Sequence, residues 1–221
     1  MKKVSGSVRR AGSRTPGKAV AFFGIGGCGG RIMETVAGEG RENVVRCVHA
    51  STDRQEIARS PAPLKILLGP MSCGGRGCGG DPDRGRLAAM ESLDGMMRSL
   101  DGTGLVVIAA GMGGGTGTGC APVVARALRE REHPPIVVAF VTTPFSWELN
   151  RHEISERALA RLAGHCSGIV AFSNAATAAA VPEGSSVGQT MEAVNRLLRK
   201  ASLGITALLT GRPGYPWNSG R

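Results

Sequence analysis

The sequence predicts an α/β protein, a doubly wound, mainly parallel sheet with helices on both faces that ends in a long central helix. Three observations predict it. Short runs at residues 19–23, 44–50, 65–68, 105–110, 136–141 and 168–172 are continuously apolar and mostly β-branched, as strands of a sheet covered on both faces are. Amphipathic stretches at 82–100, 120–132 and 150–163 lie between them, so strand and helix alternate. Glycine-rich loops follow two of the runs, at the carboxyl ends of strands, where such a sheet binds its ligands.

Taken in order, the chain begins with Lys2, Lys3, Arg9, Arg10, Arg14 and Lys18 and no acidic residue before position 19. The net charge of +10 is therefore concentrated there, because the remainder carries 21 basic and 17 acidic residues. Residues 1–18 read as a solvated, disordered basic arm, with contact to nucleic acid or anionic lipid as a weakly supported second reading. The domain proper spans 19–210. Asp81 followed by Pro82 is a helix start, a capping side chain with proline at the first helical position. Residues 187–209 form one long amphipathic pattern, with Met191, Val194, Leu197, Leu198, Ala201, Ile205 and Leu208 on one side. Residues 211–221 hold two prolines and no helical period, and read as a tail.

Composition narrows the class further. At 221 residues, 42% hydrophobic and 20% charged, the chain can bury one good-sized core. Its 34 glycines fall in runs without a Gly-X-Y period, which excludes collagen and points to loops lined by backbone. No window approaches the roughly 18 consecutive apolar residues of a membrane span, and no apolar core follows the first charges as in a secretory signal. A soluble, cytoplasmic protein is expected. The cysteines at 28, 47, 73, 78, 120 and 166 form no CxxC pair. Cys73 and Cys78 bracket a glycine run with no histidine at a ligand-like offset, so free thiols in a reducing compartment are expected rather than zinc.

The glycine loops carry the chemistry. Residues 24–30, GIGGCGG, follow the first strand, open a helix and contain GxGxxG at Gly24, Gly26 and Gly29. Such a loop turns backbone N–H groups and a helix N-terminus toward an anion, which suits a dinucleotide enzyme or another phosphate binder. Residues 111–119, GMGGGTGTG, narrow the choice. Three glycines followed by alternating threonine and glycine let consecutive N–H groups and two hydroxyls wrap a phosphate chain. A nicotinamide-cofactor enzyme gives this second loop no role. It also lacks the lysine of a P-loop.

GGGTGTG is the tubulin/FtsZ signature, and residues 18–214 resemble the nucleotide-binding domain of the FtsZ division GTPases. The resemblance implies roles residue by residue. Gly26, Gly27, Cys28 and Gly29 stand in the first phosphate loop. Residues 50–53, ASTD, resemble the family's Ala-Asn-Thr-Asp and place Asp53 at the site. Residues 75–82, GRGCGGDP, resemble the loop that closes over the γ-phosphate, which implicates Gly77, Cys78 and Gly79. Gly113, Gly114, Gly115, Thr116, Gly117, Thr118 and Gly119 form the main phosphate loop. Residues 143–148, TPFSWE, resemble the loop whose Glu148 holds the ribose, beside Pro144. Asn174 and Asn195 fall where the family reads guanine from opposite sides, and an amide that both donates and accepts suits that task.

Departures from the family pattern bear on activity. Arg31 stands where an asparagine is usual, Ser51 and Asp81 each replace an asparagine, and Met191 replaces the ring that stacks on the base. His152, preceded by Arg151, takes the place of the phosphate-side arginine. After the long helix, Arg212-Pro213-Gly214 resembles the start of the loop whose acidic residues complete the next subunit's site. No Asp or Glu follows Glu192, and the family's second domain has no counterpart in the sequence. The resemblance therefore implies binding of GTP or GDP, with Mg²⁺ accompanying the triphosphate, and weak self-hydrolysis. It makes the chain a regulator or partner of division or cytoskeletal filaments, acting on full-length FtsZ or on itself. The alternative is an active polymerising GTPase of non-standard geometry that borrows Asp53, Asp81 or Glu148 to orient water. No residue is assigned to catalysis or to a metal.

Overall fold

The computed structural model describes residues 19–37 and 45–210, so the predicted arm and tail lie outside the described residues. Its elements run β1 (Ala19–Ile25), α1 (Gly26–Ala37), β2 (Val45–Ser51), α2 (Arg54–Arg59) and β3 (Leu64–Leu67). There follow α3 (Pro82–Glu91), α4 (Leu93–Ser99), β4 (Thr103–Gly111), α5 (Thr116–Arg129) and β5 (Ile136–Thr143). The order ends with α6 (Leu149–Ala163), β6 (Gly168–Ser173), α7 (Asn174–Ala180) and α8 (Val187–Thr210). The six strands form one sheet in the order β3-β2-β1-β4-β5-β6. All pairings are parallel, with Phe22 opposite Cys47 on one side and Val107 on the other. The order reverses at β1 and β4, so the loops leaving these two strands meet at the switch point of a doubly wound sheet.

Alternation along the central strands explains why both faces are covered. Phe23 and Ile25 of β1, with Val106, Ile108 and Ala110 of β4, pack against Ala88, Met96, Val124 and Leu128 from α3, α4 and α5. Val20 and Phe22, with Val107, Ala109 and Phe140, face the opposite layer, where Val194 of α8 joins them. Side chains two residues apart share a face, so a strand buried on both sides is apolar throughout. Among the described residues no helix is long and apolar enough to cross a membrane.

The helices differ from the sequence expectation in one split, one shifted start and two short additions. The stretch 82–100 is two helices, broken at Ser92, whose backbone leaves the helical region (φ −105°, ψ 10°) and whose hydroxyl accepts the Gly69 N–H at 3.0 Å. Helix α5 begins at Thr116 rather than at 120, so the second glycine loop supplies its first turn. Helices α2 and α7 are too short for a helical period to show in sequence. Each is started by a side-chain cap. Asp53 accepts the Gln55 N–H at 2.7 Å, and Ser173 accepts the Ala176 N–H at 3.0 Å.

The expected start of α3 is present. Asp81 Oδ1 accepts from the backbone of Asp83 at 2.8 Å and Arg84 at 3.3 Å, with Pro82 at the first helical position. Asp81→Ala is expected to lower unfolding free energy in urea by about 1 kcal/mol, and Asp81→Asn to retain most of it. Ile108→Ala, in the fully buried centre of β4, is expected to cost about 2–5 kcal/mol in the same experiment.

Candidate functional site

Strand β1 passes into α1 at Gly26, and the helix sits directly on the sheet. A Cβ on Gly29 would stand 2.5 Å from the Gly24 carbonyl carbon and 2.7 Å from the Ala109 oxygen, so only glycine permits this approach. Buried His49 lies behind the loop and donates from Nε2 to the Gly26 carbonyl at 3.1 Å. Cys28 contacts the Thr142 hydroxyl at 3.5 Å. Burial pushes its thiol above the ordinary range, opposed by that contact and by nearby Arg31. Gly27 faces Glu56 of α2, and Arg31 is exposed on α1.

Residues 112–115 join β4 to α5. Gly113 has φ +91°, and a Cβ there would lie 2.7 Å from Pro144 and 2.9 Å from Arg151, so two loops close together at this point. Gly114 faces open space, with no atom within 4 Å of where its Cβ would stand. Gly115 abuts Cys78, and Gly117 and Gly119 lie against the backbone of Gly111 and Pro82. The two loop threonines have different surroundings. Thr116 shares a hydrogen bond with Thr52 at 2.7 Å and stands beside Gly26. Thr118 is buried with no partner for its hydroxyl among the described residues, and lines a cleft of about 420 Å³ among α3, α5 and α6.

The segment between β3 and α3 covers this junction from a third side. Gly77 N–H donates to the Thr52 carbonyl at 3.0 Å, and Arg54 N–H to the Gly75 carbonyl at 3.0 Å. Asp53 and Arg76 form a short antiparallel bridge. Cys78 Sγ lies 3.4 Å from the Thr52 hydroxyl and 3.6 Å from that of Thr116, while Gly77 and Gly79 face open space.

The loop after β5 is closed on itself. Glu148 accepts the Phe145 N–H at 2.9 Å with one oxygen and pairs with Arg151 at 2.7 Å with the other. His152 donates from Nε2 to the Phe145 carbonyl at 2.9 Å, so that nitrogen is committed to backbone. Phe145 stacks on Trp147 with ring centroids 4.5 Å apart, and Pro144 is buried. Asn174 opens α7, and its Oδ1 is buried without a hydrogen-bond partner among the described residues. Met191 and Asn195 are half-buried one turn apart on α8, which packs against α7 and α1.

The structure thus brings Gly26, Thr116, Cys78 and the Gly113–Pro144–Arg151 contact into one junction, with Asn174, Met191 and Asn195 on a separate pair of helices. Sequence reasoning missed Thr52 and His49. Thr52 was within reach, since it directly precedes Asp53 in the ASTD motif, whereas His49 sits in an apolar strand that gives no cue. Among the described residues no group of three or more His, Cys, Asp or Glu is placed to hold a metal.

Comparison with known proteins agrees with this architecture. The profile of the Tubulin/FtsZ family, GTPase domain, matches residues 19–182. The mitochondrial division protein fszB of Dictyostelium discoideum is 38% identical over 156 residues, 70% of this chain and 42% of that protein. The cell division protein FtsZ of Helicobacter pylori is 33% identical over 199 residues, covering 90% of this chain and 51% of that protein. The chain therefore spans about half the length of the curated relatives it matches. An FtsZ dimer from M. jannaschii superposes with a TM-score of 0.82 at 31% identity, over 89% of this chain and 56% of that one. CetZ2 from Haloferax volcanii, 24% identical with a TM-score of 0.74 over 86% of this chain and 59% of that one, shares the fold. The chain belongs to the tubulin/FtsZ family and carries its GTPase domain.

Proposed function

We propose that this domain binds a guanine nucleotide across the carboxyl ends of β1, β4 and β5. The observation that carries the reading is the convergence of two glycine loops, each opening a helix, at the point where the sheet order reverses. The N-termini of α1 and α5 add their unpaired N–H groups and positive dipole ends there, and Gly114 leaves the approach open. The phosphates rest on residues 26–29, 113–117 and 77–79, with the base between α7 and α8. Asn174 Oδ1, a buried acceptor without a partner among the described residues, suits the adjacent N1–H and N2–H donors of guanine, where adenine presents an acceptor at N1. Glu148 and Pro144 stand by the ribose, where Glu148 can exchange Arg151 for a ribose hydroxyl. Mg²⁺ would be held mainly by the phosphates, in keeping with its habit of using few protein carboxylates.

Hydrolysis by the isolated chain is proposed to be slow. Residues 211–221 contain no carboxylate side chain. Each carboxylate suggested to replace the acidic loop is already engaged: Asp53 and Asp81 cap helices, and Glu148 holds Phe145 and Arg151. The chain then acts as a nucleotide-dependent regulator or partner of filaments, in keeping with the division roles named for its relatives.

Calorimetric titration is expected to show GTP binding at least about 100-fold tighter than ATP, with Asn174→Ala erasing tenfold or more of that preference. Equal binding of the two would sink the guanine assignment. Thr116→Val is expected to weaken GTP and GDP alike by about tenfold, the worth of one hydrogen bond to a charged group. Phosphate release per subunit, followed from low to high protein concentration, is expected to stay slow and flat. A steep rise with concentration would replace the regulator by the polymerising GTPase of non-standard geometry.

A further inference from the structure

The segment between β3 and α3 contains a feature that nucleotide binding leaves unused. Cys73 and Cys78 bracket the run GGRG, and the structure folds it so that their Sγ atoms lie 3.3 Å apart. Both side chains are buried, 4% and 3% exposed, beneath a strap of glycines. Gly74, Gly75, Gly77, Gly79 and Gly80 all have positive φ, and no atom lies within 4 Å of where a Cβ on Gly74, Gly77, Gly79 or Gly80 would stand. On the core side both thiols belong to the hydrophobic cluster, while the neighbouring strap of glycines carries no side chains. A disulfide needs its sulfurs at about 2.05 Å, so closure asks for a movement of little more than about 1 Å.

The pair is also wired to the phosphate loop. Cys78 Sγ contacts the hydroxyls of Thr52 and Thr116 at 3.4 and 3.6 Å, and its Cβ would stand 2.7 Å from a Cβ on Gly115. Cys120, the third thiol in this part of the core, is directed elsewhere, toward the Gly85 carbonyl at 3.1 Å. The two sulfurs contact each other directly, and the nearby Arg84 charge and the Ser72 hydroxyl favour the thiolate of Cys73, against burial and Cys78.

We propose that Cys73 and Cys78 are a disulfide-forming pair whose oxidation by a low-molecular-weight disulfide withdraws Cys78 from the phosphate loop and weakens nucleotide binding. The coupling to nucleotide rests on the function proposed above; the pairing does not. In the first step one cysteine, as thiolate, attacks a sulfur of the small disulfide, forming a mixed disulfide and expelling one small thiolate. The other cysteine, as thiolate, then attacks the protein sulfur of that mixed disulfide and expels the second. Two protein thiols become one disulfide, the small disulfide becomes two thiols, and the protons released by the cysteines end on the expelled thiolates. Burial first, and then its neighbour Cys78, push the Cys73 thiol up to about 11. Exchange is therefore expected to quicken as pH rises toward that value, because the thiolate is the attacking form.

Arg76 lies between the two cysteines, which makes the test direct. The chain is incubated with glutathione disulfide, remaining thiols are alkylated, and the protein is digested with trypsin. Cleavage after Arg76 separates Cys73 from Cys78, so the two peptides travel together in mass spectrometry only when a disulfide joins them. The linked peptide is expected, lost again on reduction and absent from Cys73→Ala. GTP affinity of the linked, adduct-free form is expected to be about tenfold or more below that of the reduced chain, whereas Cys73→Ala freed of any glutathione adduct is expected to keep the same affinity before and after exposure to oxidant. Absence of the linked peptide under conditions that oxidise exposed thiols would overturn the pairing. A linked peptide with unchanged GTP affinity would overturn the coupling. If the reduced chain binds no GTP, the proposed function fails and takes the coupling with it, while the linked peptide still decides the pairing.

Discussion

The carboxyl end of the sheet depends on how closely backbone approaches backbone there. A Cβ on Gly117 would stand 2.4 Å from the Gly111 oxygen, and one on Gly119 would stand 2.2 Å from the Pro82 oxygen. Side chains at these positions would push α5 off β4 and off α3 together. Because α5 is held so close, its first turn is also the glycine loop, and Thr116 and the Gly117 nitrogen stand beside Gly26 at the end of β1. Gly29 repeats the arrangement at the start of α1, lying against Gly24 and Ala109. Two helix N-termini are thereby aimed at one point by steric necessity, with no charged side chain required to hold them.

Hydroxyl and thiol groups complete what the glycines begin. Thr52 ties β2 to α5 through Thr116, receives the Gly77 N–H on its carbonyl, and touches Cys78. One residue thus links three loops that come from distant parts of the sequence. The charged residues play a different part: Asp53, Asp81 and Glu148 fix the ends and turns of the chain around the junction. Asp53 and Asp81 use Oδ1 alone for these caps, whereas both oxygens of Glu148 are engaged, one by the Phe145 N–H and the other by Arg151.

Much of this was legible in the sequence, and the limits have identifiable causes. Continuous apolar runs gave the six strands because a sheet buried on both faces leaves no polar alternation to read. Asp81 before Pro82 placed the start of α3 to the residue. The split at Ser92 was not legible, because it depends on a hydroxyl reaching Gly69, twenty-three residues away. The spacing of Cys73 and Cys78 was visible, but their contact depends on successive glycines adopting left-handed backbone, which composition permits without specifying. Thr116 and Thr118 look equivalent in the motif, yet a two-residue step around a helix turns one hydroxyl to the junction and the other to a cleft among α3, α5 and α6.

The stacked pair Phe145–Trp147 has a consequence for observing the molecule. Trp147 is one of two tryptophans in the chain, and the other, Trp217, lies outside the described residues. Its ring rests on Phe145, whose N–H and carbonyl are held by Glu148 and His152. An event that draws Glu148 or His152 away from that backbone shifts the ring on which the indole rests, and at 57% exposure the indole has one side on the ring and much of its surface in water. With Trp217 replaced by phenylalanine, the remaining indole emission becomes an optical gauge of the loop after β5 that needs no attached dye.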